Sequence, residues 1–311
     1  MAKKTMDAAS ILAQFSAEKE EEFIPTGYRT LDKVLGGGIS KGAMYLFWGP
    51  QGCGKSTMAI QIAKVFLKQN LGKVAYIDVE KALNRAQQEA FGIRDYVDQG
   101  TFLHLTCSSY VEADKITSAL STMDDIALVI VDSESMLLPK LGDDCQVNDN
   151  QPGQKSRQSN VWLTKVKSQF FEAGIASIVL AHARADLSFN MHGPSEKVAG
   201  GFSLKHIPDL LLKISIGQKL GEKGDLDGQV LHLVAEKNKF TKPFVNYDVK
   251  LFYGIGIKKS VDLIDLALST GIIQVTSPGY FQLPDGTTIR GTQNIYNLTQ
   301  EQLRDLAQHI S

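Results

Sequence analysis

Seven compact apolar segments recur between residues 44 and 235, and several of them do not alternate with polar positions. Strands that are apolar on both faces are typical of a mostly parallel sheet covered by helices. Helical or glycine-rich stretches separate the earlier segments, whereas short polar connections follow the later ones and favour hairpins. The pattern predicts an α/β fold with a mixed, mainly parallel central sheet. The segments are MYLFW, KVAYID, TFLHL, IALVIVD, IASIVLAH, LLLKISI and QVLHLVA.

Both ends of the chain differ from this central pattern. Near the start, a short amphipathic helix is indicated by the spacing of Ala8, Ile11, Leu12 and Phe15. Because this stripe is too short to fold alone, it packs against the subunit's own core or against a neighbouring subunit. The end of the chain alternates helix, short strands and helix. We predict an oligomerisation arm over 1–22, a core over 23–268 and a small C-terminal α+β lobe over 269–311.

A phosphate-binding motif follows the first apolar segment and precedes a helical one. Glycines let backbone N–H groups converge on phosphates at a helix N-terminus. Lys55 supplies positive charge to the outer phosphates, and the Ser56 hydroxyl is a ligand for Mg²⁺. We therefore expect the whole P-loop to contact a nucleotide: Gly49, Pro50, Gln51, Gly52, Cys53, Gly54, Lys55, Ser56 and Thr57.

Acidic residues at the ends of two apolar segments suit the same chemistry. Asp132 follows six apolar residues, which is the Walker B pattern for a Mg²⁺ ligand at the end of a buried strand. Asp78 and Glu80 are two residues apart and would face one side of a strand. Since open α/β sheets bind ligands at this edge, we predict that Glu80 activates water.

The composition restricts which binding partners and which cellular compartment are expected. The 311 residues are 43% hydrophobic and 22% charged, which is typical of a globular protein. A formal charge of −1 requires any nucleic-acid surface to be local. Three cysteines at unrelated spacings predict neither a disulfide framework nor a zinc site and favour the cytoplasm. The start lacks the apolar segment of an export signal, and no stretch approaches membrane-spanning length, so we expect no membrane partner.

The order and spacing of several motifs resemble those of the RecA family of bacterial DNA strand-exchange recombinases. The similarity runs nearly end to end and is weakest over 140–160. It implies a RecA-type P-loop ATPase core with a short N-terminal helical arm and a small C-terminal lobe. The motifs are TGYRTLDKVLGGGISKGAMYLFWGPQGCGKST, YIDVEKAL, VIVDS followed by LLPK, AGG within KVAGGFSLK, KNKFTKPF, YGIGI and VDLIDLAL.

The resemblance implies ATP and Mg²⁺ as cofactors and gives roles to the matching residues. Lys55 contacts phosphate and takes part in catalysis, and Glu80 is the catalytic carboxylate. Ser56 and Asp132 are the metal ligands. In the family, the two lysines of the KNK motif reach across a subunit interface to the neighbour's nucleotide. The lysines of the motif in this chain are Lys237 and Lys239; without the resemblance they indicate only a solvated face.

Two loops, at about 141–158 and 185–201, match the DNA-binding loops of the family. The stretch 151–171 carries four basic residues and no acidic one, which is a local basic footprint. Glycines that close the second loop let backbone N–H groups approach phosphates. The expected DNA contacts are Lys155, Arg157, Arg184, Lys197, Gly200 and Gly201.

Some positions depart from the family pattern. His182 stands where a glutamine senses the γ-phosphate, and a histidine there still donates a hydrogen bond and adds pH sensitivity. His206 replaces an aromatic residue that contacts the neighbouring subunit. Asn84 and Gln87 replace an aspartate and a tyrosine near the adenine; Asn84 and His182 are kept as nucleotide-binding candidates. We also expect the acidic tail that is typical of the family to be missing, since the sequence reads QHIS at its end. We expect a divergent member of the kind that phages encode.

The resemblance implies a DNA-dependent ATPase that forms helical filaments on single-stranded DNA and exchanges strands with double-stranded DNA. Single-strand-binding or loader proteins are further expected partners. One alternative is an accessory mediator that binds DNA or a recombinase without exchanging strands. Another is a ring-forming helicase motor on the same core fold.

Overall fold

The computed structural model describes residues 22–139, 153–186, 195–198, 203–222 and 225–310. Its strands are β1 (Phe23–Ile24), β2 (Ile39–Ser40), β3 (Met44–Gly49), β4 (Lys73–Asp78), β5 (Phe102–Thr106), β6 (Ile126–Asp132), β7 (Ala176–Asp186), β8 (Ser195–Val198), β9 (Leu210–Glu222), β10 (Asp225–Asn238), β11 (Asn246–Phe252), β12 (Gly256–Ile257), β13 (Gln274–Ser277), β14 (Tyr280–Gln282) and β15 (Thr288–Arg290). Its helices are α1 (Arg29–Leu35), α2 (Lys55–Lys68), α3 (Arg85–Ala90), α4 (Arg94–Asp98), α5 (Tyr110–Leu120), α6 (Gln154–Ala173), α7 (Ser203–His206), α8 (Lys259–Ser269) and α9 (Gln300–His309). Short 3₁₀ helices span Glu134–Met136 and Asn294–Asn297.

A large sheet organises the core, with strand order β12, β11, β10, β9, β3, β7, β6, β4, β5 and with β8 paired to β7. The neighbouring strands from β9 to β5 run parallel. By contrast, β10, β11, β12 and β8 are joined by antiparallel pairing. The predicted mixed, mainly parallel sheet of an α/β fold is therefore confirmed.

The central strands β3, β4 and β6 are buried on both faces of the sheet, which explains their continuous apolar segments. Successive residues of β3 alternate between two clusters: Tyr45 and Phe47 pack on the face covered by α2. Leu46 and Trp48 pack on the face covered by α5 and α6. Helices on both sides leave the carboxyl ends of the parallel strands as the open edge.

A third apolar cluster lies in the C-terminal part of the chain. It joins Ile264 and Leu266 of α8 to Phe281 of β14 and Leu306 of α9. The division of the chain at 268 and 269 stays a prediction, and α8, which ends at Ser269, packs into this cluster. Most of the predicted arm lies outside the described residues.

The structure differs from the predicted loops at their ends. Of the first loop, 141–152 lie outside the described residues, but α6 begins at Gln154, so 154–158 are helical. Gly153 has φ 85° and starts the helix, and the residues that follow are good helix formers. Of the second loop, part is an antiparallel ribbon because β8 pairs with the end of β7. Over the described residues, no helix is long and apolar enough to cross a bilayer.

Candidate active site

The P-loop forms the turn between β3 and α2. Gly52 and Gly54 have left-handed φ values of 77° and 81°, which favour glycine. Gly54 is the N-cap of α2, and no side chain caps this helix, so its first N–H groups are available to a phosphate. Nζ of Lys55 donates to the carbonyl oxygens of Gly49, at 3.1 Å, and Pro50, at 2.8 Å. The loop fits a bound phosphate group.

The other P-loop side chains differ in exposure. Gln51 is exposed and Thr57 is half-buried. Cys53 is fully buried. Burial raises the pKa of its thiol, although the positive charge of Lys55 acts in the opposite direction. Because Cys53 is fully buried and burial raises the pKa of its thiol, the residue is suited to packing and not to nucleophilic chemistry.

A hydroxyl and a carboxylate meet beside the P-loop, as a Mg²⁺ site requires. The Ser56 side chain is hydrogen-bonded to Asp132, and Tyr76 donates its hydroxyl hydrogen to the same carboxylate. Asp132 is 7% exposed. Burial raises the pKa of its carboxyl, partly offset by the hydrogen bonds from Ser56 and Tyr76. A cation at this position would favour the charged carboxylate, so the donor set fits Mg²⁺.

Glu80 lies beyond the end of β4 and faces two neighbouring strands. Its Oε1 accepts a hydrogen bond from the Ser133 hydroxyl at 2.7 Å and lies 2.8 Å from Nε2 of His182. In the parallel register His182 is opposite Gly49. Asp78 is opposite Asp132 at the end of β4. The structure thus brings the P-loop, Asp132, Glu80 and His182 to one edge of the sheet.

Asp78 does not act with Glu80, contrary to the expectation that both face one side of a strand. The strand ends at Asp78, whose carboxylate accepts from the backbone N–H groups of Ala82, at 3.1 Å, and Leu83, at 2.9 Å. His104 contacts it at 3.0 Å. Asp78 therefore holds the turn that presents Glu80.

Asn84 is the N-cap of α3 in a reciprocal capping box. Its side chain accepts from the backbone N–H of Gln87 at 3.0 Å, and the Gln87 side chain accepts from the backbone N–H of Asn84 at 3.3 Å. The capping box therefore explains the presence of Asn84 and Gln87 at the start of this helix without a ligand. A nucleotide-binding role for Asn84 stays a prediction.

Lys237 and Lys239 lie at the opposite end of the strands from the P-loop. Leu210 pairs both with Tyr45 near the start of β3 and with Asn238 at the end of β10. Tyr45 and Gly49 are four positions apart along β3, which is about 13 Å of strand. Lys237 and Lys239 therefore lie far from the P-loop of their own subunit.

The contacts of these lysines lie around the start of β9. Nζ of Lys237 donates to the backbone carbonyl oxygen of Pro208 at 2.7 Å. Asp209 forms ion pairs with Lys239 at 2.9 Å and with Lys167 of α6 at 2.6 Å. Burial alone would raise the pKa of Asp209, but its hydrogen bonds with Lys167, Lys239 and Met44 N–H lower it. Sequence reasoning missed Asp209, a lone acidic residue before an apolar segment.

The predicted DNA contacts divide between α6 and the ribbon. Lys155 and Arg157 lie in the first turns of α6, and Arg157 is exposed. Arg184 is exposed on β7 and is paired in the backbone register with Lys197 of β8. Gly200 and Gly201 lie outside the described residues.

The basic stretch of α6 is smaller than its sequence indicates. Lys165 is ion-paired with Asp114 at 2.7 Å. Lys167 is engaged by Asp209. Two of its four cations are therefore neutralised within the subunit, and the first turns of the helix retain the basic footprint.

Comparison with known proteins identifies the family. A family model described as the RecA N-terminal domain matches residues 2–258. The chain belongs to the RecA family. Among its relatives, proteins named Protein RecA are 28% identical in Lactobacillus acidophilus, over 299 residues, and 29% identical in Bartonella quintana, over 291 residues. Each alignment covers 93% of this chain, with 80% of the first relative and 82% of the second.

RecA-family membership supports a RecA-like recombinase function in general, with ATP and Mg²⁺ as cofactors and with DNA and further copies of the chain as partners. A third relative, Protein RecA of Heliobacterium modesticaldum, is 30% identical over 270 residues, which are 86% of this chain and 76% of that protein.

Proposed function

We propose that this RecA-family chain is a DNA-dependent ATPase that polymerises on single-stranded DNA and catalyses homologous pairing and strand exchange. The observation that carries the proposal is the separation of two half-sites. The P-loop, Asp132 and Glu80 lie at one edge of the sheet, whereas Lys237 and Lys239 lie at the end of β10, at the opposite edge of the same sheet. A head-to-tail arrangement of subunits would join the two halves, and a heterologous interface of this kind generates a helical filament when its rotation does not close into a ring.

Each residue has a defined task in this mechanism. The N–H groups of the P-loop and Lys55 bind the phosphates, and Ser56 and Asp132 hold Mg²⁺. Bound Mg²⁺ supplies charge neutralisation at the phosphate oxygens. Glu80 orients and deprotonates water, and its hydrogen bond from Ser133 sets the direction of its carboxylate.

The lysines complete the site from the next subunit. Lys237 and Lys239 add positive charge where negative charge develops on the transferred phosphoryl group. His182, in contact with Glu80, connects the state of the nucleotide to β7, which continues into the ribbon carrying Arg184. Asn84, at the start of α3, contributes to the pocket for the adenine base in this proposal.

DNA is held by its backbone in this proposal. Lys155 and Arg157 of α6 and Arg184 and Lys197 of the ribbon bind phosphates, together with the backbone of Gly200 and Gly201. Sequence is then read by base pairing between strands, as in other systems that delegate recognition to a nucleic acid. Single-strand-binding and loader proteins are proposed accessory partners.

The deciding experiment measures ATP hydrolysis with and without single-stranded DNA and images the nucleoprotein product. We expect turnover to rise strongly with DNA, long filaments to form, and Lys55→Ala to abolish turnover. A strand-exchange assay separates a recombinase from a mediator, because a mediator would form filaments without exchanging strands. Closed rings would favour a helicase motor, and DNA-independent turnover by a monomer would exclude the proposal.

A further inference from the structure

Glu134 is a fully buried carboxylate in the 3₁₀ helix directly after β6. Its Oε1 accepts two hydrogen bonds, from the hydroxyl groups of Tyr110 and Ser159, each at 2.5 Å. Its Oε2 is buried and has no hydrogen-bond partner within the described parts of the chain. Burying a carboxylate with half of its acceptors unused is costly, so an apolar residue would stabilise the fold better at this position.

The two donors belong to different helices. Tyr110 is the first residue of α5, and Ser159 lies in the second turn of α6. Burial and then the negative charge of Glu134 raise the pKa of the Tyr110 hydroxyl, which therefore remains a donor. Lys155, four residues before Ser159 and on the same face of α6, donates to the backbone carbonyl oxygen of Ser135 at 2.5 Å.

The same short segment contacts the catalytic carboxylate on its other side. Ser133 donates to Oε1 of Glu80 at 2.7 Å. Ser135 accepts from the backbone N–H of His182 at 2.9 Å, and His182 lies 2.8 Å from the same oxygen of Glu80. Residues 133–135 thus contact α6 on one side and Glu80 on the other.

We propose that Glu134 is a positioning residue that makes the orientation of Glu80 depend on the position of α6. The first turns of α6 carry Lys155 and Arg157, so an anchored α6 transmits DNA binding to the catalytic carboxylate. Ser133 and Glu134 are fully buried, and such a packed segment shifts as a unit. This inference rests on the proposed DNA-dependent ATPase.

Tyr110 and Ser159 donate to the same oxygen of Glu134, so substituting each of them in turn separates an effect on coupling from an effect on stability. Ser159→Ala removes the hydrogen bond that joins Glu134 to α6 and leaves the Lys155 contact in place, whereas Tyr110→Phe removes the equivalent hydrogen bond from α5. We measure kcat and KM for ATP with and without oligo-dT, the dissociation constant for oligo-dT and the Tm. With Ser159→Ala we expect the DNA-stimulated kcat to fall at least about five-fold, within the usual range of coupling between sites. Its unstimulated kcat, KM and DNA affinity stay unchanged, and Tyr110→Phe retains stimulation.

The outcomes distinguish the two proposals. A wild-type chain without DNA stimulation overturns both the proposed ATPase and the coupling. A stimulated wild type with an equally stimulated Ser159→Ala overturns the coupling alone. Equal losses in Ser159→Ala and Tyr110→Phe also overturn it, because they indicate a purely structural role. Where Ser159→Ala lowers the Tm more than Tyr110→Phe does, Ser159→Cys replaces it, since the larger thiol leaves no cavity and is only a weak donor.

Discussion

Asp132 and Asp209 are both buried carboxylates at the edges of one sheet, yet their pKa values shift in opposite directions. Burial dominates at Asp132 and raises its pKa above 3.8. Two lysines and a backbone N–H outweigh burial at Asp209 and lower its pKa below 3.8. The ionised form of Asp132 therefore costs stability, whereas the ionised form of Asp209 contributes to it.

Asp132→Asn should raise the stability of the protein at neutral pH while abolishing ATP hydrolysis. The amide still accepts from Tyr76 and donates to Ser56, and it removes a charge that is expensive to bury. The expected rise in Tm is on the order of 2 °C. Because the pKa of Asp132 is raised in the folded state, the advantage is fully present above that pKa and disappears as the pH falls through it. Melting curves of Asp132→Asn and of the wild type between pH 4.5 and 7.5 test this. A Tm of the variant below that of the wild type at pH 7.5 would contradict it.

Asp209→Asn should lower stability at neutral pH by about 2 kcal/mol, because it leaves Lys167 without its charged acceptor. Since the folded pKa of Asp209 is lowered, its contribution is fully present above the unfolded value and is lost as the pH falls through the folded pKa. Urea unfolding at pH 7 measures the change. The control is Asp114→Asn, which breaks the exposed pair with Lys165 and should cost less than about 1 kcal/mol. Equal losses in the two variants would contradict the argument.

At the scale of elements, α6 and the ribbon together form the proposed DNA-binding surface. Arg157→Ala and Arg184→Ala should each weaken binding of oligo-dT. Each lost phosphate contact should lower the slope of log K against log salt concentration by about 0.7. The loss should be similar for any base sequence, because phosphate contacts carry no sequence information. Fluorescence anisotropy over a salt series measures both quantities.

Lys165→Ala is the matched control on the same helix. Lys165 is neutralised by Asp114, so its removal should leave the salt slope unchanged. A slope that falls as much for Lys165→Ala as for Arg157→Ala would mean that binding depends on total charge and not on this surface.

Elements built from local patterns could be predicted from the sequence. β3, β4 and β6 end within a residue or two of their apolar segments, because burial on both faces leaves a continuous apolar signal. The P-loop was also predictable, since its chemistry depends on nearby residues. The helical start of α6 was not predictable, because a polar stretch with turn formers is compatible with either a loop or a helix until its contacts are known.

The contacts that assemble the site are non-local and were not predictable from spacing. Asp209 meets Lys167 and Lys239 only because β9 starts beside the ends of β10 and α6. Likewise, Glu134 follows the Walker B strand without any motif, and its partners lie 24 and 25 residues away along the chain. Family resemblance supplied the proposed role of Lys237 and Lys239, and the strand register explains why these lysines are far from the P-loop of their own subunit.

For the whole molecule, a site divided between subunits predicts that two inactive variants restore each other. Glu80→Gln lacks the catalytic carboxylate but keeps its lysines, and Lys237→Ala has the reverse defect. In a mixed filament, an intact site forms wherever the P-loop of a Lys237→Ala subunit meets the lysines of a Glu80→Gln subunit. Random mixing at equal concentrations should give about one quarter of the wild-type DNA-stimulated rate, because both neighbours of a heterologous interface must be of the right kind.

The control for this mixing experiment places both substitutions in one chain. A mixture of the wild type with the Glu80→Gln, Lys237→Ala double variant contains the same number of substitutions but forms intact sites only between wild-type neighbours. Each single variant alone, and the double variant alone, should hydrolyse ATP at background rates with DNA present. A steady-state ATPase assay with DNA, over mixing ratios from one pure variant to an equal mixture, measures how much activity is recovered. If the mixture of single variants stays at background while electron microscopy shows mixed filaments, Lys237 acts within its own subunit and the divided site is wrong.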